Sequence, residues 1–255
     1  MQPMWLKLRN LVAMRVVPNL LRAQSGLTGG FEARMRRTEA VVRYARGHGL
    51  ELGAAATPAA VPLGVKVTYV DKYGLEELAA DPELKGLKIR PPDVLDSAEE
   101  LTTFAAGSVD FVIAFTVMEH VQDVIAMFAA ATRVLKPGGH FIFTAPNRDR
   151  YDHDAGRQLT SFDHFVRDFV EGPHVSVHDH YREAGAAYHG LSGAELDAWA
   201  KQGVASGGHT HFHVWTAATF MDFVLRTRAL LDDAFEVVEL TAYGNECLVV
   251  GRKPV

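Results

Sequence analysis

The sequence predicts a doubly wound α/β fold with a mostly parallel sheet, and three observations support this prediction. Apolar runs at residues 109–114 and 141–145 have the composition of strands that are buried on both faces. Between these runs, apolar residues recur at helical spacing: Met118, Val121, Ile125, Phe128, Ala129 and Leu135. Pro137-Gly138-Gly139 is expected to stop that helix and turn the chain. A strand, a helix and a strand in this order form a βαβ unit, and ligands of such sheets bind beyond the carboxyl ends of the strands.

Two pieces of this unit resemble class I S-adenosylmethionine-dependent methyltransferases. They are Phe115-Thr116-Val117-Met118-Glu119-His120-Val121 and Arg133-Val134-Leu135-Lys136-Pro137-Gly138-Gly139. The resemblance implies a seven-stranded Rossmann-like sheet, with a helical insertion before the last helix. It also implies S-adenosylmethionine as the cofactor, with Phe115, Thr116 and His120 close to it. The resemblance covers residues 49–146 and 216–251, so we expect the cofactor-binding core at 49–146 and 216–255.

Composition bounds the remaining choices. The chain has 255 residues, of which 48% are hydrophobic and 22% charged, so we expect one globular domain with an insertion. No apolar run approaches membrane-spanning length, and no secretory signal pattern is evident. The single Cys247 excludes an intrachain disulfide and lies in an apolar run, which predicts a buried core residue in a cytoplasmic protein. Residues 1–50 carry a net charge of +7, so the remainder carries −12 within the total of −5. This acidic balance, without a basic aromatic stripe, argues against nucleic acid as a partner.

The first 48 residues are predicted to form a helical cap. Trp5, Leu8, Leu11, Val12 and Val16 share one helical face before Pro18. This helix could contact a membrane surface, or it could be a lid packed on its own domain. We favour the lid, because only three basic residues precede Pro18. Residues 26–30 predict a flexible break, and residues 32–46 predict a second helix.

The first strand is predicted at residues 49–53, followed by the loop in which the family holds its cofactor. Glu51 and Gly53 match the acid and the first glycine of that loop, and Ala54 stands where a further glycine is usual. A second strand at 65–71 ends in Asp71, 20 positions after Glu51. This spacing is typical of an acid that accepts hydrogen bonds from a ribose. We include the adjacent Lys72 in the predicted cofactor site.

A third strand is predicted at residues 87–90 and a helix at 97–104. In the family, an acid after the third strand receives the adenine amino group. Asp93 and Asp96 are both candidates for this role, and either could instead cap the helix at 97–104.

Residues 147–215 are too long for a plain connection, and the resemblance implies an insertion that forms the substrate pocket. Helices are predicted at 161–170 and 194–202. A final helix at 217–231, capped by Thr216, and two strands at 235–240 and 247–251 then close the sheet as an antiparallel hairpin.

Nine of the twelve histidines lie between residues 147 and 214. Six of them, in HxH-like patterns, could ligate a metal, bind substrate or serve as a base, or form structural hydrogen bonds: His174, His178, His180, His209, His211 and His213. Metal binding ranks lowest of the three, so no metal site is predicted. His211 and His213 directly precede the last helix, and we expect one of them to be the catalytic base.

The sequence therefore predicts a methyltransferase that acts on a hydroxyl of a small-molecule or glycan acceptor. One alternative is a methyltransferase-like protein that binds a ligand or partner without catalysis, because the first loop is rich in alanine. Another is a nicotinamide oxidoreductase, which is disfavoured because the first loop lacks GxGxxG. The oligomeric state is left open.

Overall fold

The computed structural model describes residues 28–255, whose core is one sheet of seven strands. The strands are β1 (His48–Leu52), β2 (Lys66–Asp71), β3 (Val94–Leu95), β4 (Val109–Phe115), β5 (Leu135–Pro146), β6 (Glu236–Tyr243) and β7 (Glu246–Arg252). The helices are α1 (Thr28–Tyr44), α2 (Leu75–Ala80), α3 (Val124–Val134), α4 (Phe162–Glu171), α5 (Val177–His189), α6 (Gly193–Ser206) and α7 (Ala217–Leu230). The predicted helix around Trp5 to Val16 lies outside the described residues.

The strand order is β3-β2-β1-β4-β5-β7-β6. Strands β1 to β5 run parallel, whereas β7 is antiparallel to both β5 and β6. The prediction of a doubly wound, mostly parallel seven-stranded sheet is therefore confirmed. The order reverses between β1 and β4, which is where sheets of this class open a crevice at the carboxyl ends of their strands.

Helices cover both faces of the sheet, which explains why its central strands are almost wholly apolar. On one face, Ala40 and Val41 of α1 pack on Phe111 and Ile113 of β4. On the other face α3 and α7 bury an aromatic cluster: Phe128, Phe141, Phe143, Phe223 and Phe235. Each of these side chains is at most 1% exposed, and burying each contributes about 1.5–3 kcal/mol. Cys247 is buried in the same core, as predicted.

The third strand was predicted in the wrong place. It lies at Val94–Leu95, where it pairs with the end of β2, and not at residues 87–90. Pro91 and Pro92 separate the two stretches and have no N–H to donate to a sheet. The side chain of Leu87 is exposed.

The predicted helix at 97–104 is also wrong, because this stretch is a series of turns. The Asp96 carboxylate accepts hydrogen bonds from the backbone N–H groups of Ser97 and Thr103, and Leu101 takes a positive φ of 48°. Hydrogen bonds of this kind offer the backbone an alternative to a helix.

The helix after β4 is shorter than the apolar spacing indicated. It begins at Val124, where the Asp123 side chain accepts from the N–H of Ala126, and residues 118–120 form only a 3₁₀ turn. It ends at Val134, ahead of the Pro-Gly-Gly stop, because Leu135 already pairs with Val109 as the start of β5.

Residues 147–215 contain the two predicted helices, now α4 and α6, and a third, α5, that was not predicted. The ends of this segment meet where Asn147 and Trp215 form an isolated bridge beside the sheet. The final helix and the closing hairpin were predicted correctly, and Thr216 caps α7 by accepting from the N–H of Thr219. None of the described helices is long and apolar enough to cross a membrane. The cytoplasmic location and the division into cap, core and insertion stay predictions.

Candidate active site

A cavity of about 310 Å³ opens at the carboxyl ends of β1, β2 and β4. Its walls include seven of the ten residues predicted to bind cofactor: Gly53, Asp71, Lys72, Asp96, Phe115, Thr116 and His120. Glu51, Ala54 and Asp93 are not among the lining residues. The strand tips at Asp71 and Phe115 therefore face one common space.

The loop after β1 approaches the β4 tip closely. Gly53 has a φ of +62°, and a Cβ atom there would lie 2.7 Å from Cγ2 of Val117. Only glycine fits such a position without strain or displacement. Ala55 adopts a φ of +38°, so one alanine of this loop takes the conformation for which glycine is usual.

Glu51 supports this loop and does not face the cavity. Its Oε1 accepts a hydrogen bond of 2.7 Å from the N–H of Ala59, while its Oε2 is buried without a hydrogen-bond partner. Burial raises the pKa of Glu51 to about 8, opposed by the Ala59 hydrogen bond and by the charge of Arg37. The carboxyl is therefore largely protonated at neutral pH.

Asp71 lies at the tip of β2, with one carboxylate oxygen accepting from the N–H of Tyr73 at 3.0 Å. Burial raises the pKa of Asp71, and the backbone N–H groups of Tyr73 and Lys72 oppose that shift. A partly buried carboxylate at this place can accept hydrogen bonds from vicinal hydroxyls of a ligand.

The structure distinguishes the two acids near β3. Asp96 lines the cavity, and its carboxylate is held by N–H groups of the following turn. Burial acts to raise its pKa, but these hydrogen bonds outweigh it and lower the pKa of Asp96. Asp93 instead accepts from the N–H of Tyr69 and pairs with Arg90 at 3.0 Å, away from the cavity.

The tip of β4 carries an unusual backbone. Thr116 has a φ of +52°, which is rare for a β-branched residue. Its N–H donates to the Oγ1 of Thr144 and its hydroxyl donates to the carbonyl of Phe115, which together hold this conformation. Strain of this kind is concentrated at functional sites, and here it turns the chain across the floor of the cavity.

Residues 207–212, from the segment before α7, form the opposite wall of the cavity. The hydroxyls of Tyr73 and Tyr181 donate to the carbonyls of Gly207 and Gly208, at 2.8 and 2.6 Å. The N–H of Phe212 donates to the carbonyl of Glu119 at 2.6 Å. The insertion is thus fixed directly over the strand tips.

His120 links this wall to the β4 tip. Its Nδ1 lies 3.0 Å from the carbonyl oxygen of Thr210, and its ring stacks on that of His209 with centroids 3.9 Å apart. Burial and the adjacent His209 lower the pKa of His120 well below its usual range. His120 is therefore a neutral ring at physiological pH.

His211 lies one ring behind His120, with ring centroids 4.7 Å apart, and is buried. Its Nδ1 lies 2.8 Å from Oδ2 of Asp154. Burial acts to lower the pKa of His211, but the hydrogen bond with Asp154 and the nearby Glu119 outweigh it and raise the pKa. An imidazole oriented by a carboxylate in this way is the usual arrangement of a general base.

Asp154 is itself held in place by a buried network. It accepts a hydrogen bond of 2.7 Å from the hydroxyl of Tyr188 and pairs with Arg157 at 3.3 Å. Arg157, which is 3% exposed, also donates to the carbonyl of His211 at 2.8 Å. These contacts fix both partners of the His211–Asp154 pair.

His213, the other histidine predicted as a possible base, does not line the cavity. Its side chain is buried, and its imidazole ring packs against the rings of His164, Phe165 and His180. Alternation along residues 209–213 does not place all three imidazoles together, because His213 turns away into the packing between α4 and α5.

The His178–His180 pair is also separated. His178 and His180 belong to helix α5, where residues two apart point in different directions. Within residues 30–255, two other groups bring ligand atoms within 4.8 Å of one another: Glu119, His120 and His211, and His164, His180 and His213.

Four residues of this region were not predicted from the sequence, namely Tyr73, Asp154, Arg157 and Phe212. Tyr73 adjoins the predicted Lys72, so its neighbour was the available signal, and Glu119 belongs to the motif that carries the resemblance but was not predicted as a site residue. Asp154 is 57 positions from His211, and no local pattern connects the two.

Known proteins match the part of the chain that contains strands β1 to β4 and the cavity at their carboxyl ends. A family model described as a methyltransferase domain matches residues 49–143. The ubiquinone biosynthesis O-methyltransferase of Xanthomonas oryzae pv. oryzae (strain PXO99A) is 35% identical over 88 residues, which cover 34% of this chain and 36% of that protein. The enzyme of the same name from Xanthomonas axonopodis pv. citri (strain 306) is 28% identical over 147 residues, which cover 54% of this chain and 60% of that protein. The chain thus spans between about a third and three fifths of these curated relatives.

Among solved structures, an S-adenosylmethionine dependent methyltransferase from Mesorhizobium loti is 17% identical and covers 87% of this chain and 98% of that chain, with a TM-score of 0.46.

Proposed function

This chain belongs to the class I S-adenosylmethionine-dependent methyltransferase family, and we propose that it moves a methyl group from S-adenosylmethionine to a hydroxyl of a small-molecule or glycan acceptor. The observation that supports this proposal is that the ends of three strands lie next to one histidine–aspartate pair. Asp71, Asp96 and Phe115 line a single cavity, and His211 with Asp154 lies directly behind its His120 wall.

The residues present fit the cofactor. Asp71 would accept from the ribose hydroxyls, and Asp96 would lie near the adenine. Gly53 allows the loop after β1 to lie close to the β4 tip, since a Cβ there would collide with Val117. Phe115 and Thr116 would form the floor against which the methionine part is held.

S-adenosylmethionine, when bound, supplies an electrophilic methyl group on a positively charged sulfur. The chain positions the acceptor in line with that group and keeps water away. The wall at residues 207–212 supports the second task, because four hydrogen bonds hold it over the cavity. Reactions that remove charge are favoured in such a closed and water-poor site.

His211 is the proposed base. With Nδ1–H donating to Asp154, its Nε2 keeps the lone pair that accepts the proton of the acceptor hydroxyl. Asp154 fixes the tautomer and stabilises the imidazolium that results. The proton thus moves from the acceptor oxygen to His211 as the oxygen attacks, and solvent removes it afterwards.

The acceptor class is supported by the surroundings of His211. The rings of Tyr151, His153 and Tyr188 lie with centroids 4.8–6.4 Å from it. Aromatic rings of this kind pack against the flat face of a phenol or the apolar face of a sugar. The curated relatives carry the name O-methyltransferase, which also favours an oxygen acceptor.

The test begins with calorimetry using S-adenosylmethionine and S-adenosylhomocysteine. A panel of phenolic and glycan acceptors is then assayed for methyl transfer by mass spectrometry. With an active acceptor, His211→Ala should lower the single-turnover rate about 100-fold or more, while cofactor affinity is retained. His189→Ala, which alters a histidine packed on Trp199 outside the cavity, is the matched control.

Unchanged single-turnover rates for His211→Ala would remove His211 from the mechanism. A second candidate function, ligand binding without catalysis, is favoured by the left-handed backbone of Ala55. Failure of both cofactor forms to bind would support that candidate against methyl transfer.

A further inference from the structure

Four side chains that the proposed reaction does not use converge between α4, α5 and the segment before α7. His164 and Asp168 lie four residues apart on α4, His180 comes from α5, and His213 comes from the segment that also carries His211. We call this group the His-Asp cluster. Asp168, His180 and His213 are 1%, 6% and 1% exposed, and the side chain of His164 is 25% exposed.

The ligand atoms of the three imidazoles lie close enough to share one metal ion, and the Asp168 carboxylate lies beside two of them. The Nε2 atom of His164 lies 2.9 Å from Nε2 of His180 and 3.0 Å from Oδ2 of Asp168, and the His180–Asp168 distance is 3.9 Å. The ligand atom of His213 lies within 4.8 Å of the other two imidazoles. Four ligands at about 2.0–2.1 Å from a central zinc ion are roughly 3.3 Å apart, so the Asp168 carboxylate, which is not in the group of ligand atoms within 4.8 Å of one another, would move toward His213 on binding.

Hydrogen bonding within the cluster does not satisfy its buried atoms. Oδ1 of Asp168 is buried without a hydrogen-bond partner, Oδ2 has only the 3.0 Å ion-pair contact with Nε2 of His164, and Nδ1 of His213 is buried without a partner. Buried polar atoms in native proteins are nearly always paired, so Oδ1 of Asp168 and Nδ1 of His213 are each available to a further partner. The two facing Nε2 atoms of His164 and His180 are explained equally well by an ion between them.

His213 is oriented as a metal ligand would be. Its Nε2 lies 3.1 Å from the carbonyl oxygen of Gln122, so Nε2 carries the proton and the lone pair is on Nδ1. Histidine ligands commonly donate their second N–H to a backbone carbonyl in this way.

We propose that His164, Asp168, His180 and His213 bind one divalent transition metal ion, with zinc as the best match. Three imidazoles, with the Asp168 carboxylate moved in as the fourth ligand, would complete a four-coordinate shell without water, which is typical of a structural zinc site and not of a catalytic one. The ion would join α4 and α5 to the segment of residues 208–214. This segment carries His209 and His211, so the metal would hold the wall of the active-site cavity. The site itself does not depend on the proposed methyl transfer.

The test is the metal content of protein purified with a tag that contains no histidine, from cells grown with added zinc. The wild type should hold about one zinc ion per chain, and Asp168→Asn or His180→Ala should reduce this to below about a tenth. His178→Ala, an exposed histidine on the same helix, should keep the ion and is the matched control. Melting curves with and without a chelator should show a loss of thermal stability in the wild type and in His178→Ala.

The other histidine group provides a decisive contrast. If zinc is lost in His211→Ala but retained in His180→Ala, the ion belongs to the Glu119–His120–His211 group and the proposal is overturned. Wild-type protein without stoichiometric metal overturns it as well. Should the cluster variants fail to fold, X-ray absorption of the wild-type zinc decides: three imidazoles support the proposal, and two or fewer contradict it.

Discussion

The role of Asp71 can be tested by replacing its charge without changing its shape. Asp71→Asn keeps one oxygen to accept from the N–H of Tyr73, so the turn after β2 should persist. The variant loses the carboxylate that would accept from the ribose of S-adenosylmethionine. A hydrogen bond to a charged group contributes about 1.5–3 kcal/mol. Because Asp71 is only partly buried, we expect the lower part of this range, about 1.5–2 kcal/mol, or roughly a 10- to 30-fold increase in Kd.

Asp93→Asn is the matched control for this measurement. Asp93 is an acid on the neighbouring strand edge, but it pairs with Arg90 outside the cavity. Calorimetry with S-adenosylhomocysteine should therefore give an unchanged Kd for this variant. Equal losses of affinity in both variants, or no loss in Asp71→Asn, would refute the assignment.

The pH dependence adds an independent check on Asp71. Burial raises its pKa above the usual 3.8, so the carboxylate becomes protonated at a higher pH than an exposed aspartate does. Affinity for the cofactor should be full above this raised pKa and should fall as the pH drops through it. Asp71→Asn should lack this decline in affinity.

Two further predictions concern the first loop. In the wild type, ionisation of the buried Glu51 carboxyl is opposed only in the folded state, so the free energy of unfolding should fall by about 1.4 kcal/mol per pH unit between pH 4.5 and about 8. Glu51→Gln should lack this loss, so its stabilising effect relative to the wild type should grow over the same pH range. Melting curves of both proteins at pH 5 and pH 9 measure this effect, and equal shifts of the melting temperature at the two pH values would contradict it. Ala55→Gly should raise the free energy of unfolding by about 1 kcal/mol, because Ala55 has a left-handed backbone conformation that glycine adopts without strain. Urea unfolding measures this change. A lower free energy of unfolding in the variant would show that the conformation of Ala55 is not strained.

The parts of the fold that the sequence predicted correctly are those with a strong local pattern. Strands β4 and β5 are buried on both faces, so each leaves a continuous apolar run. Asp71 and Phe115 directly follow such runs, which allowed their position at the strand tips to be predicted. Strand β3 has only two residues, and a strand that short has no periodicity to detect.

The histidines show where local patterns are insufficient. Their chemistry was evident, but their grouping depends on helix α5 and on contacts between distant segments. His164 meets His213 from 49 positions away, and Asp154 meets His211 from 57. His209, His211 and His213 alternate along the chain, but tertiary packing places His209 and His211 next to His120 and places His213 next to His180.

The order of the last strands has a consequence for biosynthesis. Among the described strands, β6 is at the edge of the sheet and pairs with β7, which is translated after it. A nascent chain that has exposed only β6 cannot attach it, and β5 meanwhile keeps an open edge of the kind that promotes aggregation. Residues 246–252 must leave the ribosome before either strand gains its partner, so the central sheet is completed only after β7 has been translated. This interval is where we expect chaperones to bind the nascent chain.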